Sequence, residues 1–161
     1  MSLNPDAMSS PVLTEEEAEA LAAVPLIEAY FRRGNVQMPA NLETLFTKHG
    51  LTARHGAVLA QLVASAVLAV SEVARLLSVS LSTASELISD LDRAGIVGRR
   101  EDPDNRRRTL VAIAEPHIDD VRQLVAGRAE PLRAVLAELS PQDREGFAKG
   151  LRAWAEHVRS W

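Results

Sequence analysis

The sequence predicts a mainly α-helical protein with a small β component, an α+β fold in which a tight central unit is flanked on both sides by longer helices. Three observations predict it. Short helical and β-branched segments follow one another between residues 67 and 114 with almost no linker, and the flanking stretches carry apolar residues at three- and four-residue steps. The 161 residues, 47% of them hydrophobic, suit one core of the usual roughly 100–200 residues with helical extensions.

Residues 1–13 are polar, rich in serine and proline, and without helical or strand period, so a disordered tail is expected there. Thr14-Glu15-Glu16-Glu17 has the pattern of a capping box: the threonine hydroxyl accepts a backbone N–H, Glu17 reaches back, and acidic side chains favour the positive helix end. The helix starting there carries Ala18, Leu21, Ala22, Tyr30 and Phe31, is kinked or split at Pro25, and closes at Gly34-Asn35. A short helix follows from about Ala40 to Lys48, stopped by Gly50, and Thr52 caps another that carries Val58, Leu59, Leu62 and Val63. Residues 14–50 therefore form an N-terminal helical region.

Residues 51–114 form the central unit. Val67 to Val70 reads as a short strand, and Ser71 caps a brief helix, Glu72 to Leu77. After the turn Ser78-Val79-Ser80, a second helix places Ala84, Leu87, Ile88 and Leu91 on one face and ends at Ala94 before Gly95, the expected left-handed cap. Two β-branched strands, Ile96 to Arg100 and Thr109 to Ile113, enclose a polar loop from Glu101 to Arg108. The order is helix, turn, helix, hairpin with a cationic tip.

Residues 115–161 read as helical again. Ile118, Val121, Val125, Arg128, Leu132, Val135 and Leu139 form one seam, bent where Pro131 interrupts it, and Ser140-Pro141 starts a last helix with the seam Phe147, Leu151, Trp154, Val158 and Trp161. A small central unit has too little surface to bury both seams, so they are expected to meet a second copy of the chain, with Leu21, Leu132, Leu139, Phe147, Leu151, Trp154 and Val158 in the interface. Packing within one chain is the alternative.

Composition removes several functions. The absence of cysteine excludes disulfides, thiolate metal sites and cysteine nucleophiles. No apolar run approaches the ~20 residues of a membrane span, and Met1-Ser2-Leu3-Asn4-Pro5 lacks the basic-then-apolar order of a secretory signal, so a soluble, cytoplasmic protein without membrane contact is expected. There is no glycine-rich phosphate loop, nucleophile elbow or convergent acid and base pair, and hence no catalytic residue, enzyme activity or cofactor is expected. His49, His55, His117 and His157 lack short ligand spacing apart from the first two, which straddle a helix boundary, so no metal site is expected either.

Charge is distributed unevenly. The net charge is −4, and residues 1–50 hold seven acids against three bases, but Arg93 to Ile113 holds six arginines against three acids. A local cationic patch on an acidic chain can dock on phosphate while the remaining surface suppresses indiscriminate binding. A solvated arginine face is the plainer reading of the same residues.

The central residues resemble the multiple antibiotic resistance regulator (MarR) family. The run from Val70 to Ser80 is similar to that family's first motif, Ser82 to Val97 to its recognition helix and exit, and Asp102-Pro103-Asp104-Asn105-Arg106-Arg107 to its wing. The detailed likeness covers about Gly50 to Ala114, and Leu139-Ser140-Pro141 is similar to a break in the family's dimerisation helices. The resemblance implies a winged helix-turn-helix with N- and C-terminal dimerisation helices. It also implies a sequence-specific, ligand-responsive transcriptional regulator of the repressor type, acting as a homodimer on a pseudo-palindromic double-stranded DNA operator.

A helix fits the major groove, where base edges differ in donors and acceptors, so the second helix must expose polar side chains near its start. Ser82, Thr83, Ser85 and Glu86 are there. The narrow, strongly negative minor groove draws arginine, and Arg106 and Arg107, supported by Arg108, are the candidates. Resemblance implies an acidic residue orienting the first wing arginine; Asn105 stands at that position, with Asp102 and Asp104 nearby. Leu81 and Glu86 stand where relatives often carry arginine. A small-molecule effector is implied too, though Tyr30, Phe31, His49 and His55 near the expected cleft have the ordinary composition of a core. A winged module that contacts only proteins is the alternative function; three consecutive cations at a hairpin tip argue against it.

Overall fold

The computed structural model describes residues 12–33 and 37–159. It comprises a unit within residues 1–35 and a larger one within residues 36–161. The expected tail (beyond Val12 and Leu13), the closing Gly34-Asn35 and the seam residue Trp161 lie outside the described residues.

Among its described residues the first unit holds one helix, α1 (Glu15–Arg33), which continues through Pro25 without splitting. Its start is the expected capping box: the Thr14 N–H donates to Glu17 Oε2 at 2.8 Å, and the Glu17 N–H donates to Thr14 Oγ1 at 3.2 Å. Leu21, Leu26, Ile27 and Phe31 are all exposed. Tyr30 and Phe31 stack edge to face at 5.3 Å.

The second unit runs α2 (Ala40–His49), α3 (Ala53–Ser65), β1 (Val67–Ala69), α4 (Val70–Leu77), α5 (Leu81–Arg93), β2 (Val97–Asp102) and β3 (Asn105–Ile113). A 3₁₀ turn (Glu115–His117) then leads into α6 (Ile118–Arg128), α7 (Glu130–Glu138) and α8 (Pro141–Arg159). The three strands form one antiparallel sheet in the order β1-β3-β2. The fold is mainly helical with a small sheet, the winged helix-turn-helix expected from the sequence.

The core gathers apolar side chains from every layer. Val58, Leu59 and Leu62 of α3, Val73 of α4, Ile88 and Leu91 of α5, and Val111 of β3 are almost wholly buried. Leu42 and Phe46 of α2 and Val121 and Leu124 of α6 join the same cluster, so this core reaches beyond residues 51–114 on both sides. Burying each such side chain stabilises the fold by roughly 1.5–3 kcal/mol, which is why the two central helices hold their orientation although α4 has only eight residues.

Local chemistry sets the joints. Gly50 (φ 64°) and Gly95 (φ 76°) take left-handed backbone where a Cβ would be strained, and each ends a helix or its exit turn. Ser78 adopts the same region (φ 53°) at the end of α4, forming the turn between the two central helices. The start of α4 differs from expectation: β1 runs straight into it, so the N-cap is Ala69, not Ser71, and Glu72 Oε2 accepts the Ala69 N–H at 2.7 Å. Pro131 interrupts the C-terminal seam, dividing it into α6 and α7 at Ala129. Ser140 caps α8 as expected, its Oγ accepting the Asp143 N–H at 3.2 Å.

One buried polar side chain ties α3 to α5. The Thr52 N–H donates to His55 Nδ1 at 2.9 Å, and His55 Nε2 lies 3.3 Å from Asp90 Oδ2. Since Nδ1 accepts, the neutral ring carries its proton on Nε2 and gives it to Asp90. Arg93 Nη1 holds the other carboxylate oxygen of Asp90 at 3.1 Å. His55 is thus a structural residue, only 6% exposed, with all its hydrogen-bonding capacity used.

Candidate nucleic-acid interface

The amphipathic pattern of α5 decides what it can present. Ala84, Leu87, Ile88 and Leu91 are buried in the core, which fixes the helix, while Ser82 and Glu86 are exposed and Thr83, Ser85 and Ser89 half-buried on its other sides. Ser80 caps the helix, its Oγ accepting the Thr83 N–H at 3.1 Å. The hydroxyls of Ser82 and Thr83 lean towards the same atom, at 2.9 and 2.8 Å from Ser80 Oγ. Together they form a hydroxyl cluster at the positive end of the helix, where an anionic oxygen is favoured. Glu86 is exposed, as is Leu81 at 60%, so no cation marks the first two turns.

The hairpin is longer and tighter than its sequence suggests. β2 reaches Asp102 and β3 begins at Asn105, leaving only Pro103 and Asp104 between them. Consequently Arg106, Arg107 and Arg108 lie on β3 rather than in a loop. Two side chains hold the turn: Asp102 Oδ1 accepts the Asp104 N–H at 3.0 Å, and Asn105 Oδ1 accepts the Arg107 N–H at 3.2 Å. Asn105 therefore acts on the backbone under Arg107, a task its neutral amide performs as well as a carboxylate.

The three wing arginines are not equivalent. Arg106 and Arg107 are exposed and, among the described residues, their guanidinium groups enter no ion pair. Arg108 instead turns back to Glu72 of α4 at 3.4 Å and to the largely buried carboxylate of Asp102 at 3.7 Å. It bridges the wing to the start of α4, and its charge is already matched. Two residues escaped the sequence reading. Ser89 lies four positions after Ser85 and seven after Ser82 on the same helical row, and Arg99 of β2 donates from Nη1 to Ser89 Oγ at 3.3 Å. Helical spacing alone singles out Ser89; Arg99 requires the strand register.

The expected pairing residues remain uncovered in the single chain. Phe147 (41% exposed), Leu151 (48%), Trp154 (45%) and Val158 (63%) line one face of α8, and no residue of α7 or α8 is buried. Leu132 is exposed at 40%, whereas Leu139 is half-buried and extended, in the link between α7 and α8 rather than in a helical seam. Among the described residues, no helix is long and apolar enough to cross a membrane, and no three His, Cys, Asp or Glu side chains are grouped to hold a metal ion.

Residues 49–108, from the end of α2 through the three wing arginines, match the model of the MarR family, which bears out the resemblance read from the sequence over that segment. No curated protein matches the chain. Among solved structures, NadR in complex with 4-hydroxyphenylacetate superposes with a TM-score of 0.66 at 13% identity, over 90% of this chain and 97% of that one. AbsC, a MarR family transcriptional regulator from Streptomyces coelicolor, gives 0.62 at 22% identity over 94% of this chain and all (100%) of that one. A complex of S. aureus MepR with DNA gives 0.55 at 17% identity over 91% and 99%. These likenesses extend the shared fold through the flanking helices.

Proposed function

We propose that this protein is a transcription regulator that binds double-stranded DNA as a homodimer in the cytoplasm, with α5 in the major groove and the hairpin alongside it in the minor groove. The observation that carries the reading is the division of labour in the central unit. One face of α5 is locked into the core, its polar face is open to solvent, and Arg106 and Arg107 project from the hairpin with no carboxylate partner among the described residues. The MarR family match over the same residues, and the existence of a MepR–DNA complex on this fold, support it. Ser82, Thr83, Ser85 and Glu86 are the base-reading candidates, in which hydroxyls donate or accept and Glu86 accepts from cytosine N4. Two-fold symmetry of the pair then calls for an operator of two inverted half-sites. Repression released by a small molecule is the mode of action we infer, in line with the 4-hydroxyphenylacetate held by NadR.

Selection of bound duplexes from a random pool tests this reading. Wild-type protein is expected to enrich one inverted motif, and Thr83→Ala or Ser85→Ala to alter the preferred bases more than the overall affinity, because base contacts specify while phosphate contacts position. A pool that stays random through successive rounds contradicts DNA recognition.

A further inference from the structure

Arg99 joins β2 to the polar face of α5, and nothing in the sequence motifs explains why it does so. In the sheet Arg99 is directly opposite Val111, and Val97 opposite Ile113. Paired residues in an antiparallel ladder project to the same face, and residues two apart on a strand share it. Arg99 thus leaves the sheet on the face of buried Val97 and Val111, the face that packs on helices. It is nevertheless exposed, its guanidinium having reached Ser89 Oγ at 3.3 Å. Ser89 Oγ in turn donates to Ser85 O at 2.7 Å, so it meets Arg99 as an acceptor. Arg100, one position on, leaves by the opposite face.

We propose that Arg99 is a phosphate-contacting residue of the DNA interface, held beside α5 by Ser89 and aimed at the strand backbone that flanks the major groove. This rests on the DNA-binding reading above. The chemistry favours contact over a purely structural bond. A guanidinium has five N–H donors in a planar fork suited to phosphate, and a neutral serine hydroxyl engages one of them. Among the described residues no carboxylate pairs with Arg99, in contrast to Arg108, whose charge is matched by two. Glu86 on the same helix leaves the early turns without a cation, so Arg99 supplies positive charge to the α5 side of the interface independently of the wing.

Salt titrations of duplex binding separate the possibilities. Each phosphate neutralised contributes about 0.9 to the slope of log affinity against log salt, or roughly a fivefold change at 0.15 M salt. Arg99→Gln is expected to lower the slope by about one unit with an unchanged thermal melt, Arg99→Lys to restore it, and Arg100→Gln to leave it near the wild-type value. An unchanged slope in Arg99→Gln, or equal losses in Arg99→Gln and Arg100→Gln, overturns the assignment: the first makes the Ser89 bond structural only, the second makes the charge diffuse. Absence of salt-dependent duplex binding by the wild type would overturn the regulator reading itself, and the Arg99 assignment with it.

Discussion

The double variant Arg106→Ala/Arg107→Ala is expected to bind its operator about thirtyfold more weakly at 0.15 M salt and to flatten the log–log salt slope by about two units. Each of these guanidinium groups is exposed and, among the described residues, has no carboxylate partner, so each can release one counterion equivalent when it meets the duplex. Their placement is fixed from below. Asp102 and Asn105 bind the backbone of the two-residue turn, and Arg108 ties the base of the wing to Glu72 and Asp102. Side chains on a braced strand lose less freedom on binding than those on a loose loop, so the loss on truncation should be close to the full electrostatic term. Binding titrations at four or more salt concentrations read it directly. A slope equal to wild type would remove the wing from the interface.

Leu151→Glu/Trp154→Glu is expected to convert a dimer into a 17.5 kDa monomer at micromolar concentration, seen by sedimentation equilibrium as a halving of mass. Both side chains are nearly half exposed in the single chain, at the centre of a seam that continues from Phe147 to Val158. Four large apolar residues on one helical face, on a helix with no buried residue, have the anatomy of a surface that is covered by a partner. Placing two carboxylates there costs several kcal/mol per uncompensated charge, more than a helical interface of this kind can absorb. Operator affinity should fall by a factor on the order of 10² or more, because two linked half-site contacts become one. A wild-type protein that sediments at 17.5 kDa would refute the pairing role of this seam.

Local rules carried much of the fold. Thr14, Thr52, Ser80 and Ser140 stand at helix starts, Gly50 and Gly95 take the left-handed backbone, and the buried quartet of α5 follows its 3.6-residue period. What was not legible depends on contacts between distant segments. Arg106 to Arg108 have the composition of a loop, and only pairing with β2 draws them into a strand. Arg108 has the same local signal as its two neighbours; Glu72, supplied by α4, is what sets it apart. Ser71 looked like a cap because hydroxyls are good caps, but an incoming strand moved the helix start to Ala69. His55 offered no sequence clue to Asp90, which the packing of α3 on α5 brings to 3.3 Å. The polar face of α5 was legible through Glu86; Ser89 follows from the same row, and Arg99 does not.

The central claim is that two copies present their α5 helices to one duplex in two-fold register. Hydroxyl-radical footprinting on a selected operator measures this most directly. Two protected patches related by inversion, with centres about 10 base pairs apart or a multiple of that, are the predicted result. A single asymmetric patch at saturating protein would contradict it.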